Sequence, residues 1–421
     1  MAISELPSPD GLVLHPFRGV RFAVDDLAAV TSPPYDLVSP EDVRSLLDVH
    51  PNNVVRLILP GADQHRYSEA RETLRSWLES GVLTVDDLPS LYVYEQSGPD
   101  VLLRGLIGDL ALSELEKGIV LPHENVMPAT VADRLALMKT TESNLEPIFL
   151  VYEGDGVSAS GLVDEVATTR PPLVDVRLGD GIVHRLWALT EPAELQTVAD
   201  ALYGCRALIA DGHHRYATYL ALQRDYHDEG RGPGPWDFGL ALLVDSRVYP
   251  PDLKAIHRVI PGLPLEEAAA RAKGAWQVHE FAHLEEALEA LAASTGPAFV
   301  LAGDGPCHLL TGPDPVQLQH AMPSGHSDAW NSLVTSILSE FLLPKVWGLQ
   351  DDEQTVRIVH HDPFLAAQMA RRESGTAVIV PPLTVENVLA IAAGGERVPR
   401  KSTSFGPKPR TGLVLRTFAT G

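Results

Sequence analysis

The chain has 421 residues, of which 45% are hydrophobic and 21% are charged, and its formal net charge is −23. This composition is typical of a globular protein whose core is large enough for two or three domains. The negative charge repels DNA and anionic membranes, so it argues against a nucleic-acid or membrane-surface protein. Cys205 and Cys307 form no Cys-x-x-Cys pattern, which argues against a disulfide framework and a cysteine-based zinc site.

The chain shows no targeting or membrane-spanning pattern. Residues 1–7 lack a basic segment followed by an apolar one, so no signal peptide is expected. The most apolar long stretch, 333–349, is interrupted by Glu340, Pro344 and Lys345 and is too polar to cross a bilayer. We therefore expect a cytoplasmic protein.

The predicted secondary structure alternates between strands and helices. The first half of the chain contains, in order, a strand at 54–59, a helix at 65–80, a strand pair at 91–94 and 102–110, a helix at 131–140 and a strand at 147–152. The second half adds helices at 192–203, 214–227, 284–293 and 328–342 and strands at 206–210, 238–244, 298–301 and 355–360. This alternation favours a mixed α/β fold. Boundaries near 153–160 and 261–264 divide the chain into three predicted parts, 1–155, 156–262 and 263–421.

The most informative local feature is the turn between the predicted strand at 206–210 and the helix that follows it. Gly212 can adopt backbone angles that are closed to other residues, so it permits a tight turn after Asp211. The first turn of the helix then exposes backbone N–H groups. Together with the helix dipole, these groups favour an anion such as phosphate, so the pattern predicts a phosphate site.

Three side chains add chemistry to this turn. Arg215 offers a bidentate grip on phosphate oxygens, and His213 or His214 can donate hydrogen bonds or move a proton near neutral pH. Two other interpretations stay open. In the first, Asp211 caps the helix and the histidines lie at the surface, although capping requires neither two histidines nor an arginine. In the second, Asp211, His213 and His214 bind a metal ion for hydrolysis.

The run 211–216, Asp-Gly-His-His-Arg-Tyr after an apolar strand, resembles the motif of a bacterial and archaeal family known as domain of unknown function 1015. Other stretches agree with that family in the same order. They are 16–21, 33–39, 53–60, 123–125, 133–135, 144–149, 257–258, 399–408 and 412–414. The resemblance therefore extends over essentially the whole chain.

This family looks like a relative of the free serine kinases, whose core resembles the ParB and sulfiredoxin fold. The resemblance implies a ParB/sulfiredoxin-like core with additional α/β segments, in which Gly212, His213, His214 and Arg215 hold nucleotide phosphates. It also implies ATP or ADP as phosphoryl donor, Mg²⁺ as cofactor and a small hydroxylated acceptor. The expected activity is a kinase that converts free L-serine to O-phosphoserine, with no membrane or nucleic-acid partner.

Two acids are the candidates for the general base. Phosphoryl transfer needs cationic groups on the phosphates, usually with Mg²⁺, and a base near the attacking hydroxyl. Glu124, in a loop between Pro122 and Pro128, is the first candidate for the base or a Mg²⁺ ligand. Asp36, which follows a Pro-Pro-Tyr run, is the second. The alternative for each acid is an ordinary position in a solvated loop or turn.

Further residues are candidates for substrate binding. They are Arg56, Arg134, His257, Lys401, Ser402 and Thr403. Arg56 lies within an apolar run predicted as a strand, where an arginine must find a partner or a site, and a buried ion pair is the alternative. Lys401 to Thr403 belong to a basic segment that is suited to fold over a nucleotide or a carboxylate; a solvated tail is the alternative.

Two further functions stay open. A non-catalytic sensor would bind a nucleotide or an amino acid without turnover. A ParB-like nuclease or DNA-associated protein is the other, and the net charge counts against it. The sequence has no P-loop, no Gly-x-Gly-x-x-Gly turn and no Gly-x-Ser-x-Gly elbow, so P-loop, Rossmann and α/β-hydrolase folds lack support.

Overall fold

The computed structural model describes residues 10–63, 65–352 and 354–420. The chain divides into two compact units. The first unit comprises 10–122, 126–251 and 407–420, and the second unit comprises His123–Asn125 and Asp252–Gly406. Residues 1–7, on which the expectation about a signal peptide rests, lie outside the described residues. Within the described parts of the chain, the helices are all too short or too polar to span a bilayer.

A mixed nine-stranded sheet forms the centre of the first unit. Eight strands lie in the order Val120–Leu121, Ala207–Asp211, Ile148–Tyr152, Phe238–Asp245, Val101–Ala111, Leu91–Gly98, Val183–Leu189 and Val174–Arg177, and Leu14–His15 pairs with Val101–Ala111. Two of these pairings are parallel and the others are antiparallel. The strands Ile148–Tyr152 and Phe238–Asp245 are buried along their whole length. Their residues are apolar except Gly239 and Asp245, as is typical of strands covered on both faces.

Helices and short strand pairs complete the first unit. The helices are Leu27–Val30, Pro40–Val49, Val55–Ile58, Arg66–Glu79, Pro128–Thr141, Ser158–Thr169, Pro192–Leu202 and His213–Asp228, with 3₁₀ turns at Tyr35–Leu37, Leu115–Lys117 and Pro235–Asp237. Val20–Phe22 pairs with Leu83–Val85, and Ser143–Asn144 pairs with Arg416–Thr417. Pro128–Thr141 packs against His213–Asp228, so two of the predicted helices form one layer.

The second unit is built on a six-stranded sheet. Its strands lie in the order Gln277–Phe281, Cys307–Thr311, Phe299–Ala302, Thr376–Ile379, Ile256–Ile260 and Arg357–His360, and Asp252–Lys254 pairs separately with Ser404–Gly406. The helices are Leu265–Ala272, Leu284–Ala292, Pro315–Ala321, Asp328–Asn331, Val334–Ile337, Pro363–Arg372 and Val385–Ala393, with a π-helix at Leu338–Trp347. Alternate residues of Phe299–Ala302 enter two different cores, so this sheet is covered on both faces.

The mixed α/β class is confirmed, and most predicted elements are present. The predicted strand at 54–59 is wrong, because the structure has the helix Val55–Ile58 there. The side chain of Asn53 accepts a hydrogen bond from the Val55 amide and donates to the carbonyl oxygens of Ala29 and Thr31, which holds the start of this buried helix. A short apolar run carries no periodicity that separates a buried strand from a buried helix.

The predicted helix at 328–342 and the predicted division into parts also differ from the structure. Leu333 is extended and interrupts that helix, and the chain continues as a π-helix that contains Pro344. A proline has no N–H and crowds the preceding turn of an α-helix, so the wider turns of a π-helix accommodate it better. The predicted boundary near 155 falls inside the first unit, because strands from both sides of it alternate in one sheet.

Candidate functional site

The predicted strand–turn–helix is present at the end of Ala207–Asp211 in the first unit. The pairing with Ile148–Tyr152 is irregular between Ile209 and Asp211, so the strand end bends away from the ladder. Gly212 follows with φ 97° and ψ 30°, and the helix His213–Asp228 begins directly after it. A Cβ on Gly212 would lie 2.9 Å from Cγ2 of Ile148. Glycine is therefore required both by backbone conformation and by close packing.

Asp211 is buried at this turn and holds two cations. Its Oδ2 lies 2.5 Å from Nη2 of Arg215, and its Oδ1 lies 2.5 Å from Nζ of Lys408. It does not cap the helix, because the N-cap residue is Gly212 and no side chain caps this end. The interpretation of Asp211 as a helix cap is therefore wrong, and its carboxylate instead organises positive charge beside the turn.

Arg215 is buried, and the protein itself uses most of its guanidinium. Nη1 donates to the carbonyl oxygen of Pro147 at 2.7 Å, and Nη2 pairs with Asp211. Burial lowers the pKa of Arg215, but the carboxylates of Glu146 and Asp211 outweigh burial and raise it. The guanidinium is thus a fixed positive charge that orients the turn, and its predicted grip on a phosphate stays a prediction.

Lys408 connects the turn with Asp36. Asp36 lies in the 3₁₀ turn Tyr35–Leu37, and its Oδ2 is 2.5 Å from the same Lys408 Nζ that contacts Asp211. Burial by itself lowers the pKa of Lys408, but the two carboxylates outweigh it and raise that pKa above its ordinary value. One ammonium group therefore lies between two carboxylates, of which Asp36 is the more exposed.

Lys408 was assigned no role from the sequence, although it ends the segment 399–408 that agrees with the family. Its sequence signal was the run Pro407-Lys408-Pro409-Arg410. Each proline fixes its own backbone, and a residue before proline is restricted to extended conformations. The segment therefore presents its cations on a stiff backbone. No local pattern, however, indicates which acids the lysine meets.

A buried carboxylate supports this arrangement from behind. Oε1 of Glu146 accepts hydrogen bonds from the amide of Tyr35 at 2.9 Å and from the hydroxyl of Thr411 at 3.1 Å. Burial raises the pKa of Glu146, and burial also raises the pKa of Tyr35 to about 12. Because Tyr35 precedes Asp36 and Thr411 follows Lys408 by three residues, Glu146 holds both segments that carry the exposed part of the site.

Near the turn, His214 and Arg134 contact backbone groups, and His213 is enclosed. Nε2 of His214 accepts a hydrogen bond from the amide of Met127 at 3.0 Å, which ties the turn to the start of Pro128–Thr141. His213 is buried. Arg134 donates to the carbonyl oxygen of Ile58 at 2.6 Å. The catalytic role of either histidine and the substrate role of Arg134 stay predictions.

Arg56 does not lie within a buried strand, so the prediction of a strand around it is wrong. It is exposed on the helix Val55–Ile58, and its Nε donates to the carbonyl oxygen of Pro51 at 2.5 Å. The helical period turns Arg56 outward while Val55, Leu57 and Ile58 stay buried. A buried ion pair is therefore excluded, and a contact of Arg56 with substrate stays a prediction.

The other predicted residues belong to the second unit. The Thr403 hydroxyl donates to Oε1 of Glu124 at 2.8 Å and lies 2.9 Å from Nε2 of His123, so Glu124 and Thr403 do meet. Ser402 donates to the carbonyl oxygen of Pro399 at 2.7 Å.

Lys401 and His257 complete the second-unit predictions. Lys401 is exposed, with φ 52°. His257 is buried in Ile256–Ile260, and burial lowers its pKa to about 4, so the ring is neutral near pH 7. Neither environment points to a ligand, and their substrate roles stay predictions.

The donor set of Asp36, Asp211 and Lys408 fits a nucleotide with Mg²⁺. Magnesium is commonly held by one or two carboxylates together with substrate phosphates, and both carboxylates here reach one small cation. Lysine is a frequent point-charge ligand of phosphate, and a long helix begins beside it. Among the described residues, no group of three His, Cys, Asp or Glu side chains is arranged to hold a metal ion, so the interpretation with Asp211, His213 and His214 lacks support.

Comparison with known proteins identifies the family. The family model described as protein of unknown function (DUF1015) matches residues 14–333, well over half of the chain. The chain belongs to this family. The resemblance inferred from the motifs is thereby confirmed, and the matched region includes Asp36 and the turn from Asp211 to Arg215 but ends before Lys408. No curated protein matches the chain.

Solved structures similar to this member of the DUF1015 family share little sequence with it. SbnI with a C-terminal truncation from Staphylococcus aureus is 11% identical, with a TM-score of 0.38, over 74% of this chain and 88% of that chain. Free serine kinase in complex with AMP is 16% identical, with a TM-score of 0.33, over 73% and 92%. A conserved hypothetical protein from Pyrococcus furiosus is 15% identical, with a TM-score of 0.33, over 75% and 95%. Similarity at this level carries no conclusion about activity.

Proposed function

We propose that the first unit binds ATP or ADP with Mg²⁺ and transfers a phosphoryl group to a small hydroxylated metabolite, with free L-serine as the first candidate. The observation that carries the proposal is the Lys408 ammonium group shared by the carboxylates of Asp36 and Asp211 beside a glycine turn. Phosphoryl transfer depends mainly on positioning and on neutralising charge, and this cluster supplies both through side chains that pair with one another.

Phosphate recognition is assigned to Lys408 and to the start of the helix His213–Asp228. The ammonium group carries a full positive charge because its pKa is raised, and the dipole of a 16-residue helix adds a partial positive charge at its N-terminus. Arg215 holds Asp211 in place through a bond to its other oxygen. Lys408 thus exchanges a carboxylate contact for a phosphate contact when the nucleotide binds.

The two carboxylates are assigned different tasks. Asp211 is the more buried and would hold Mg²⁺, which when bound neutralises charge on the nucleotide phosphates. Asp36 is the more exposed and would accept the proton of the acceptor hydroxyl. The hydroxyl oxygen forms the new bond to phosphorus while the bond to the leaving nucleotide oxygen breaks. Glu146 positions Asp36 through the Tyr35 amide.

The test is a transfer assay with the full chain, Mg²⁺, ATP or ADP, and L-serine within a pool of hydroxylated metabolites, read by mass spectrometry. We expect one acceptor to gain a phosphoryl group. Asp36→Asn should lower kcat by about 10²- to 10⁴-fold. Asp225→Asn is the matched control, because Asp225 also pairs with one lysine at similar exposure. Phosphoryl transfer that persists in Asp36→Asn would contradict the assignment.

Two other outcomes decide between the remaining hypotheses. A large loss of kcat in Glu124→Gln together with normal turnover by Asp36→Asn would make Glu124 the base. Nucleotide binding by the wild-type chain without turnover of any acceptor would exclude the kinase and favour the sensor. Binding is measured by calorimetry on the same preparations, so that a failure of binding is separated from a failure of chemistry.

A further inference from the structure

A second site in the first unit is formed around Arg410, apart from the cluster of Asp36, Asp211 and Lys408. An open cleft of about 400 Å³ is lined by Arg410, Asp26, Asp180 and the small residues Ala29 and Gly179. This volume falls within the range of small-molecule sites, which combine concave shape with a few placed polar groups. The cleft contains one cation and two acids.

The guanidinium of Arg410 is held by neutral groups. Its Nε donates to the Thr31 hydroxyl at 3.1 Å, and Nη2 donates to the Thr31 carbonyl oxygen at 2.9 Å. Among the described residues, no carboxylate forms an ion pair with this side chain, and Nη1 has no acceptor. Burial lowers the pKa of Arg410 by more than the nearby Tyr94 and Asp180 raise it. A half-buried arginine of this kind is suited to an anionic ligand.

The two acids lie at the exposed rim of the cleft. Oδ1 of Asp26 accepts a hydrogen bond from the Ala29 amide at 3.2 Å, and Oδ1 of Asp180 accepts one from the Ile182 amide at 2.9 Å. Each backbone bond fixes its carboxylate and uses one oxygen, which leaves the other oxygen for a ligand. The rim therefore attracts a cationic group while the guanidinium attracts an anionic one, and small walls at Ala29 and Gly179 leave room for a compact ligand.

The cleft is connected to the proposed phosphoryl-transfer site by two antiparallel segments. Ser32 and Thr411 exchange backbone hydrogen bonds of 3.1 and 2.9 Å, so the segments cross in a fixed register. One segment carries Asp36, and the other carries Lys408 and Arg410 with only Pro409 between them. Two residues of extended chain span roughly 7 Å. The backbone positions that carry Lys408 and Arg410 therefore lie close together.

We propose that this cleft binds a zwitterionic α-amino acid, with the carboxylate on Arg410 and the ammonium group between Asp26 and Asp180. The inference rests on the proposed function in one respect, since the amino acid would be its acceptor. The pattern of charge selects both ends of the ligand: a ligand without its carboxylate leaves Arg410 without an anion, and a ligand without its ammonium group adds negative charge beside two acids.

The test measures binding of the twenty amino acids to the full chain by thermal shift, and the affinity for L-serine by calorimetry. Ethanolamine, which lacks the carboxylate, 3-hydroxypropionate, which lacks the ammonium group, and inorganic phosphate are the comparison probes. We expect at least one amino acid to bind tenfold or more tightly than its truncated analogues. Arg410→Gln should weaken that affinity at least tenfold, and Arg18→Gln, an exposed arginine on a backbone carbonyl, should change it less than twofold.

A second variant keeps the proposal testable if Arg410→Gln fails to fold. Asp180→Asn alters the exposed rim, and it should weaken amino-acid binding while leaving binding of 3-hydroxypropionate unchanged or tighter. The proposal is overturned if no amino acid binds, if Arg410→Gln binds as the wild type does, or if phosphate binds as well as amino acids. Nucleotide affinity is measured in parallel and should be unchanged in Arg410→Gln, so a failure of nucleotide binding is recorded separately.

Discussion

Each unit contains a buried arginine paired with an aspartate, and the two pairs differ in their surroundings. In the first unit, Arg215 and Lys408 face Asp211, with Asp36 on the solvent side. In the second unit, Arg258 and Arg400 both pair with Asp351, and Arg258 also donates to the carbonyl oxygens of Ile256 and Arg400. The side chain of Asp36 is 38% exposed, whereas that of Arg258 is 1% exposed.

The direction of the pKa shifts also differs between the two pairs. Near Arg215 and Lys408 the carboxylates outweigh burial and raise the pKa of both cations. At Arg258 burial outweighs Asp351 and lowers the pKa. At the first cluster the carboxylate of Asp36 is accessible to a metal ion or to the proton of a ligand, whereas the carboxylate of Asp351 in the second cluster is buried. Under the proposed function, the first cluster supplies chemistry, and we expect the second to stabilise its unit.

The largest expected effect tests the structural cluster. Arg258→Met leaves Asp351 buried without its main cation, which should lower the free energy of unfolding of the second unit by about 3–5 kcal/mol. Hydrogen exchange of the strand Ile256–Ile260 measures this loss. Arg271→Met, which breaks an exposed ion pair with Glu267, should cost less than about 1 kcal/mol. A similar loss of stability in both variants would mean that the Arg258 pair stabilises the second unit no more than an exposed ion pair does.

Lys408→Met tests the ligand cluster with a smaller expected effect. Without the ammonium group, kcat/KM for phosphoryl transfer should fall about 10²- to 10³-fold, roughly 2.7–4 kcal/mol, because a charge aimed at the phosphates is lost. Lys139→Met is the matched control, since Lys139 pairs with one aspartate on a helix surface. If the melting temperature falls while kcat/KM is retained, the first cluster is structural as well.

Gly212→Ala tests whether the turn needs glycine for more than its backbone angles. The substitution should cost about 1–3 kcal/mol of stability, because φ is 97° and the new Cβ would approach Ile148 to 2.9 Å. Gly81→Ala has φ 78° with open space around it, so it reports the backbone cost alone. Denaturant unfolding should show a larger loss of stability in Gly212→Ala than in Gly81→Ala. Equal losses would mean that packing against Ile148 does not require glycine at position 212.

The smallest expected effect is a change in pH dependence at Glu146. Its folded-state pKa is raised by burial, so the folded state binds more protons than the unfolded state above the ordinary glutamate value. The contribution of Glu146 to the free energy of unfolding is therefore greatest at acidic pH, and it is lost as the pH rises through the folded-state pKa. Glu146→Gln should flatten this slope and stay within about 1 kcal/mol of the wild type at pH 7, since Oε1 still accepts its bonds.

The control for that measurement is Glu79→Gln, which changes an exposed side chain. Thermal unfolding of the three proteins is followed between pH 4.5 and the neutral range. If the wild type instead gains stability with rising pH relative to Glu146→Gln, the attraction of Arg215 outweighs burial, and the pKa of Glu146 is lowered in the folded state.

Local sequence determined the elements whose signals are short in range. The predicted helices at 65–80 and 214–227 are present as Arg66–Glu79 and His213–Asp228, and the predicted strand pair at 91–94 and 102–110 is present as a hairpin. The same reasoning found the turn at Gly212, because a left-handed glycine between a strand and a helix is a local property. It failed at 54–59, where a buried helix and a buried strand have the same apolar composition.

Only the tertiary structure decided how the site is composed. Asp36 and Lys408 lie 372 positions apart and meet through the pairing of two extended segments, which no local period encodes. The same folding turns the Arg215 guanidinium inward onto Asp211 and Pro147, and it places Glu124 with Thr403 in the second unit. The sequence by itself therefore determined the glycine turn and its helix, whereas long-range packing decided which charges stand beside it.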